Sequence, residues 1–377
     1  LLPFNGWRRK ISFMADLPQL GTAFYSIKAQ EGEREEFQTE KSTEIRMDSS
    51  TGLINSYRTK NGKELLKGGC PQLLVIEDKC DAWGTDCWSY RKELGRFESD
   101  PQSIIKIENG LVRSIRQAIQ HFGNSRAVIN TIQYQNWPAL EFRLRIHWRE
   151  QQKRLKLLLP TRFDAGEVLC EILGGAARFP ADGQEHVHGR WIILQDKDIA
   201  LGIVHTGMHG FDFKEGELRL SVLRSAAYCH EQGFKLDAYP ARKFMDQGEH
   251  EERLLLFSGS PAEVQRQICG YADWLTTPPF ALAHLPMGVG EKTAAAELLR
   301  LKPQNIRLLA CYPSGKNQLL FRLQETAGEK TASRIQLIHP AIEFELDFQP
   351  LEIKTLLLEK SGNPQELEKW DVQDEKS

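Results

Sequence analysis

Three short stretches of the sequence concentrate side chains able to do chemistry. Asp246-Gln247-Gly248-Glu249-His250-Glu251 sets carboxylates and an imidazole around a glycine turn. Taken alone, that composition also describes a solvated loop. Leu223-Arg224-Ser225 closes an apolar run on a guanidinium, which suits either a ligand clamp or an ordinary surface charge. Asp81-Ala82-Trp83-Gly84-Thr85, followed by Trp88 and Tyr90, combines aromatic rings with a carboxylate. Ring faces stack on the apolar C–H patches of a sugar while carboxylates accept from its hydroxyls, so this third stretch suits carbohydrate recognition as well as core packing.

The histidines offer less. His186 and His188 fall on one face of a strand, the arrangement of a metal pair. His205 and His209 have the four-residue spacing of helical metal ligands, but Gly207 and Gly210 argue against a helix there. Structural or solvated histidines account better for both pairs. The sequence has no His-Glu-x-x-His, no His-x-Asp, no Gly-x-Ser-x-Gly elbow, no phosphate-binding Gly-x-x-x-x-Gly-Lys loop and no Gly-x-Gly-x-x-Gly. These absences lower the expectation of nucleotide-dependent or serine-hydrolase chemistry.

Composition bounds the partners. Lys and Arg number 49 against 51 Asp and Glu, a formal net charge of −2, which disfavours bulk-charge binding to nucleic acid or an anionic membrane. No apolar run approaches the ~18 residues of a membrane helix. Seven cysteines, irregularly spaced and without a Cys-x-x-Cys pair, read as reduced thiols of a cytosolic protein. The chain opens Leu1-Leu2-Pro3-Phe4, without Met or a signal segment, and reads as a piece of something longer.

The elements that must carry these residues are strands. Apolar and polar residues alternate over Ile132-Gln133-Tyr134-Gln135, from Leu140 to Ile146, over Leu218-Arg219-Leu220-Ser221-Val222, and from Ile342 to Phe348. Turn signals lie between such runs at Asn61-Gly62, Asn109-Gly110, Glu215-Gly216, Pro313-Ser314-Gly315 and Thr326-Ala327-Gly328. Antiparallel sandwiches follow, not a parallel doubly wound sheet. One helix is expected from Pro261 to Cys269, capped by Ser260 with Pro261 in its first turn. Thr293–Leu299 fits a second short helix, or else a linker and a strand. At ~150 residues per domain, 377 residues give roughly 2.5 domains. The Pro- and Gly-rich stretch from Trp274 to Gly290 is the expected boundary.

These residues carry a resemblance. The chain is similar, from its start to about Glu359, to the C-terminal, non-catalytic portion of glycoside hydrolase family 38, the α-mannosidases. Asp48 to Ser56 and Asn61 to Leu65 resemble the family's opening hairpin of this region. Asp81-Ala82-Trp83 resembles its Asp-Ala-Trp segment. His147-Trp148-Arg149-Glu150, with Leu155-Lys156-Leu157 and Pro160, resembles its Trp-x-Glu and Leu-Lys strand pair, and Arg190-Trp191 a strand start. Leu218 to Ala226 resembles a strand ending Leu-x-Leu-x-Leu-Leu-Arg-Ser-Pro, with Val222 and Ala226 as departures. Asp246-Gln247-Gly248-Glu249-His250 resembles Asp-Gln-Gly-x-His, and Leu351 to Leu356 the terminal Phe-Glu-Ile-Lys-Thr-Leu strand.

The resemblance implies an all-β chain: a large antiparallel β-supersandwich of the galactose-mutarotase-like type, then a smaller β-sandwich. Residues 1–30 would be strands of an upstream β region, 31–276 the large sandwich, 277–360 the small one and 361–377 a flexible tail. It also implies a parent that hydrolyses terminal α-mannosides with a divalent metal, zinc by expectation, held in an upstream catalytic α/β domain. This chain would brace that domain, line part of the sugar cleft and be inactive alone. It carries over Arg224, Asp246 and His250 as substrate-binding positions, with Asp81 and Trp83 beside them, and no catalytic or metal-binding residue. An α-mannoside oligosaccharide and the chain's own catalytic domain are the implied partners, with homo-oligomerisation open. Two alternatives stand beside this reading. One is a free-standing aldose mutarotase-like enzyme using His205 or His188 with Glu249 for proton transfer. The other is a carbohydrate-binding module.

Overall fold

The computed structural model describes residues 11–25, 44–59, 61–84, 87–228, 243–282, 296–315, 317–338, 341–359 and 364–367. Among these the elements are almost all antiparallel strands, with one α-helix. A ten-stranded sheet runs in the order Gly175–Pro180, Glu167–Ile172, Trp191–Gln195, Ala200–His205, Gly248–Gly259, Leu140–Trp148, Ser125–Tyr134, Arg113–Phe122 and Glu98–Ser99. Its tenth strand, Ile105–Asn109, also pairs with Arg113–Phe122. A six-stranded sheet runs His186–Val187, Gly210–Lys214, Glu217–Arg224, Lys153–Pro160, Gln72–Glu77 and Glu93–Arg96. The hairpin Glu44–Met47 and Ile54–Arg58 packs beside them.

Period-two alternation explains the sandwich. Phe142, Leu144, Ile146 and Trp148 of one sheet face Leu155, Leu157, Leu218 and Leu220 of the other in one continuous core. The turn Glu215-Gly216 takes φ of 54° and 82°, the two positive values of a hairpin whose twist matches its strands. A Cβ on Gly216 would come within 2.7 Å of Thr161 O, so the position tolerates only glycine. The other face of the ten-stranded sheet is closed by the helix Pro261–Thr276, through Val264, Ile268, Cys269, Ala272 and Leu275. Ser260 caps it as expected, and Glu263 completes the reciprocal capping box.

A second sandwich packs Leu299–Lys302, Thr331–Leu337 and Ile342–Phe348 against Ile306–Pro313, Gln318–Glu325, Ile353–Glu359 and Gln365–Leu367. The ambiguous stretch before residue 300 resolves into strand at Ala296–Glu297 and from Leu299; residues 293–295 lie outside the described residues. Ala296–Glu297 pairs with Gly21–Thr22, and Leu301 N donates to the Gln19 side chain at 2.7 Å. The segment 11–25 therefore has its partner in the small sandwich. The expected flexible tail needs one correction: Gln365–Leu367 pairs with Ile353–Glu359, because Lys354 reaches Glu366 at 2.9 Å and the ladder continues across both strands. The other residues expected in that tail, 361–363 and 368–377, lie outside the described residues.

Candidate functional site

Arg224 ends its strand directly opposite Arg154, and two like charges facing across a ladder repel. Asp78, fully buried just past the Gln72–Glu77 strand, answers both. Arg224 donates to it through Nε at 2.6 Å and Nη2 at 3.1 Å, and the Arg154 Nε lies 3.5 Å away. Arg224 also donates to the carbonyls of Asp81 (2.6 Å) and Ala82 (3.1 Å), so the same guanidinium fixes the Asp-Ala-Trp loop. Its backbone N–H donates to Asp246 Oδ2 at 2.9 Å. Asp246 holds a φ of 51°, a left-handed conformation that Asp accepts more readily than most residues. His250 Nε2 donates to Asp246 O at 2.9 Å. Burial works against the Arg224 charge, but Asp78 outweighs it, and the guanidinium pKa lies above its ordinary value.

One rim of the large sandwich thus gathers all five positions singled out in the sequence. Arg224, Asp81, Asp246 and His250 are joined by the contacts above. Trp83, on the loop Arg224 holds, is 81% exposed, a surface ring and not a core residue. Arg224 is no loose surface charge: its side chain is mostly buried, and it knits two loops together. Tyr90, already singled out beside the Asp-Ala-Trp segment, lies 3.5 Å under the Arg154 guanidinium as a cation–π partner. Sequence reasoning missed two members: Asp78, which supplies the counter-charge, and Arg154, which shares it. Only the strand register could have pointed to them.

From this rim an alternating chain of charges runs under the loops that cover the outer face of the six-stranded sheet. Arg154 Nη1 donates to Glu185 (3.0 Å), Lys156 bridges Glu185 and Asp212, Arg91 bridges Asp212 and Glu217 (3.1 Å to the latter), and Arg219 ends on Glu217 (2.6 Å). Lys156 and Asp212 are fully buried. Burial pushes the Asp212 carboxyl up, and Lys156 and Arg91 pull against that shift.

The histidines assemble differently. His188 and His205 meet across the two sheets, Nε2 to Nε2 at 2.7 Å, with His209 beside His205 at 5.7 Å between ring centroids. Met208 N donates to His205 Nδ1 at 3.2 Å, so His205 carries its proton on Nε2 and gives it to His188. His186 packs on Phe179 and Phe211 and bonds Asp182 at 3.3 Å. Among the described residues no three metal-ligating side chains converge. Nor does Glu249 reach His188 or His205. It sits opposite His147 on the outward face and pairs with Arg145 at 2.7 Å, because adjacent strand residues point to opposite faces. The carboxylate near the histidines is Glu252, held by Thr206 Oγ1 at 2.6 Å.

Comparison with known proteins agrees with this architecture. The profile of the Glycosyl hydrolases family 38 C-terminal domain matches residues 40–234. Mouse Alpha-mannosidase 2C1 is 25% identical over 196 residues, covering 48% of this chain and 19% of its own. The human Alpha-mannosidase 2C1 is 24% identical over 197 residues with the same shares. The matched stretch is thus about a fifth of those relatives' length. An alpha-mannosidase from Enterococcus faecalis V583 superposes with a TM-score of 0.69 at 14% identity, over 88% of this chain and 43% of that one. A second family 38 structure from Enterococcus faecalis gives a TM-score of 0.70 at 14% identity, over 88% and 45%. The family match takes in more than half of the sequence, and the chain belongs to the family of glycosyl hydrolase family 38 C-terminal domains.

Proposed function

We propose that this chain is the non-catalytic C-terminal portion of an enzyme that hydrolyses terminal α-mannosides, and that its Arg224 rim lines part of the sugar cleft. The observation that carries the reading is the convergence of Arg224, Asp81, Asp246 and His250, with Trp83 exposed on the loop that Arg224 holds. A guanidinium, a carboxylate and an indole face within one rim can grip hydroxyls and stack on a sugar ring. The bond-breaking carboxylates belong to an α/β domain elsewhere in the polypeptide, which this sandwich braces. Retaining glycosidases need two carboxyl groups about 5 Å apart; the Asp246 carboxylate instead accepts from Arg224 N at the strand end, and Asp81 is buried.

We place the divalent metal of the parent outside the described residues of this chain. The sequence has no His-x-Asp, and the described donors do not converge in threes. No catalytic step is therefore assigned to these residues. We take residues 31–276 and 277–360 as the two domains. The six described cysteines are all free, which supports a reducing compartment such as the cytosol; Cys229 lies outside the described residues.

The experiment compares this chain, the full-length protein and its Arg224→Ala form on an aryl α-mannoside. The full-length enzyme turns over and the isolated chain does not. Losing a charge-assisted contact to substrate lowers kcat/KM by roughly 10- to 100-fold. Unchanged kcat/KM in the variant removes the cleft-lining role, and robust turnover by the chain alone removes the whole assignment.

A further inference from the structure

A cavity of about 950 Å³ opens on the far side of the ten-stranded sheet, between the helix Pro261–Thr276, the small sandwich and the segment 11–19. Its size is that of a small-molecule site. Aromatic rings form one side. Phe257, Tyr271 and Trp137 stack in parallel, with centroids 4.0 and 5.4 Å apart, and Tyr134 and Trp274 stand steeply against Trp137 at 5.1 and 6.0 Å. Phe13 and Trp274, 52% and 43% exposed, offer ring surface to an occupant.

The charge of the lining is one-sided. Arg113, Arg143, Arg253 and Arg266 border the cavity, and no acidic residue among the described ones does. Arg143 and Arg253 sit directly opposite on neighbouring strands, an arrangement that costs stability unless something answers it. A single carboxylate, the fully buried Glu141, serves both guanidinia and also accepts from Tyr134 Oη. Arg113 has Glu108 and Arg266 has Glu329, so among the described residues four guanidinia at the wall answer to three carboxylates. Gln267 and Gln304 also border the space, exposed, and their amides have no partner among the described residues.

Gly270 is an independent sign. It lies inside the helix, where glycine is the weakest former after proline. A Cβ there would meet nothing within 4 Å, so no packing clash requires glycine. Any longer side chain would project into the cavity that Gly270 borders.

We propose that this cavity binds an anionic sugar: a pyranose lying on Trp274 and Phe13, its hydroxyls bonded by Gln267 and Gln304, its phosphate or carboxylate against Arg143 and Arg253. The site lies on the opposite face of the sheet from His250 and is independent of the Arg224 rim. Calorimetric titration of this chain with mannose 6-phosphate, glucuronate, mannose and inorganic phosphate tests it. One anionic sugar binds at least about tenfold more tightly than mannose and than inorganic phosphate; whichever of the two binds better identifies the anion. Gly270→Leu lowers that affinity at least about tenfold while the melting temperature holds or rises. Arg143→Gln abolishes the preference for the charged sugar over mannose. Absence of binding by both anionic sugars at about 10 mM overturns the proposal. Equal binding of mannose removes the anion subsite, equal binding of inorganic phosphate removes the ring subsite, and a Gly270→Leu form that binds normally refutes the location.

Discussion

The bond between His188 and His205 makes stability depend on acid at an unusual point of the pH scale. His188 is 5% exposed and its pKa is lowered from 6.5 to about 3, first by burial and then by the neighbouring His209. His205, wholly buried, is lowered well below 6.5 for the same first reason, with His188 and His209 as further causes. The hydrogen bonds explain why neither ring welcomes a proton. On His188 Nε2 it would face the His205 N–H, and on His205 Nδ1 it would face the Met208 N–H. The unfolded chain therefore takes up protons first. Stability is complete above about pH 6.5 and falls as the pH drops from there toward the folded-state values. For His188 the loss is negligible at pH 7 and reaches about 2 kcal/mol at pH 5. His205 is depressed in the same direction and adds to the loss with the same sign.

The window between pH 6.5 and 5 separates this effect from ordinary carboxylates, whose unfolded pKa values near 4 confine their influence to more acidic solutions. Glu252 works in the opposite sense, since burial pushes its carboxyl up and its folded form takes a proton more readily than the unfolded one. His188→Gln isolates the pair. The amide oxygen still accepts from His205 Nε2, but one titrating ring is gone. Urea unfolding at pH 7, 6 and 5, followed by the fluorescence of buried Trp148 and Trp191, reads the slope directly. The variant loses about 2 kcal/mol less than the parent chain between pH 7 and 5. Parallel pH dependences, within about 0.5 kcal/mol, would refute the reasoning.

Two further outcomes rest on the same structure. Lys156→Met removes the cation shared by the buried Asp212 and the partly buried Glu185 and costs about 3–5 kcal/mol in urea unfolding, whereas Lys156→Met with Asp212→Asn recovers part of it. A single substitution costing less than about 1 kcal/mol shows that the network is not held through Lys156. Ser260→Ala breaks the capping box and lowers stability by about 1 kcal/mol, seen as a lower Tm, while Ser260→Asp retains most of it. Equal Tm values for Ser260→Ala and the parent exclude a capping contribution.

How far the sequence could be read follows from what alternation encodes. It reports which residues are apolar, so the strands over Leu140–Trp148 and Glu217–Arg224 and the two sandwiches were legible from it. The rim residues were legible through short motifs. Asp78 and Arg154 were not, because their meaning comes from Arg154 pairing with Arg224 across a ladder whose strands lie some 70 residues apart. The helix end was extended from Cys269 to Thr276 by Ala272 and Leu275, which keep the apolar stripe over the sheet.

Lys156 is the instructive case. In Leu155-Lys156-Leu157 the lysine has the pattern of a solvent-facing residue, yet it is fully buried. The alternation correctly reports that its face is polar; it cannot report that chain 30 residues away returns to cover that face. That covering is visible only in space: Glu185 N donates to Trp88 O at 2.8 Å and Ser89 Oγ to Gly183 O at 3.0 Å, joining two loops over the sheet. Once water is excluded there, each charge needs an opposite one, and the run from Arg224 to Arg219 supplies them in alternation. The Arg224 rim is consequently one end of a largely buried network. Its geometry is set by Asp78 and by the pairs behind it, not by the loops that carry Trp83 and Asp246.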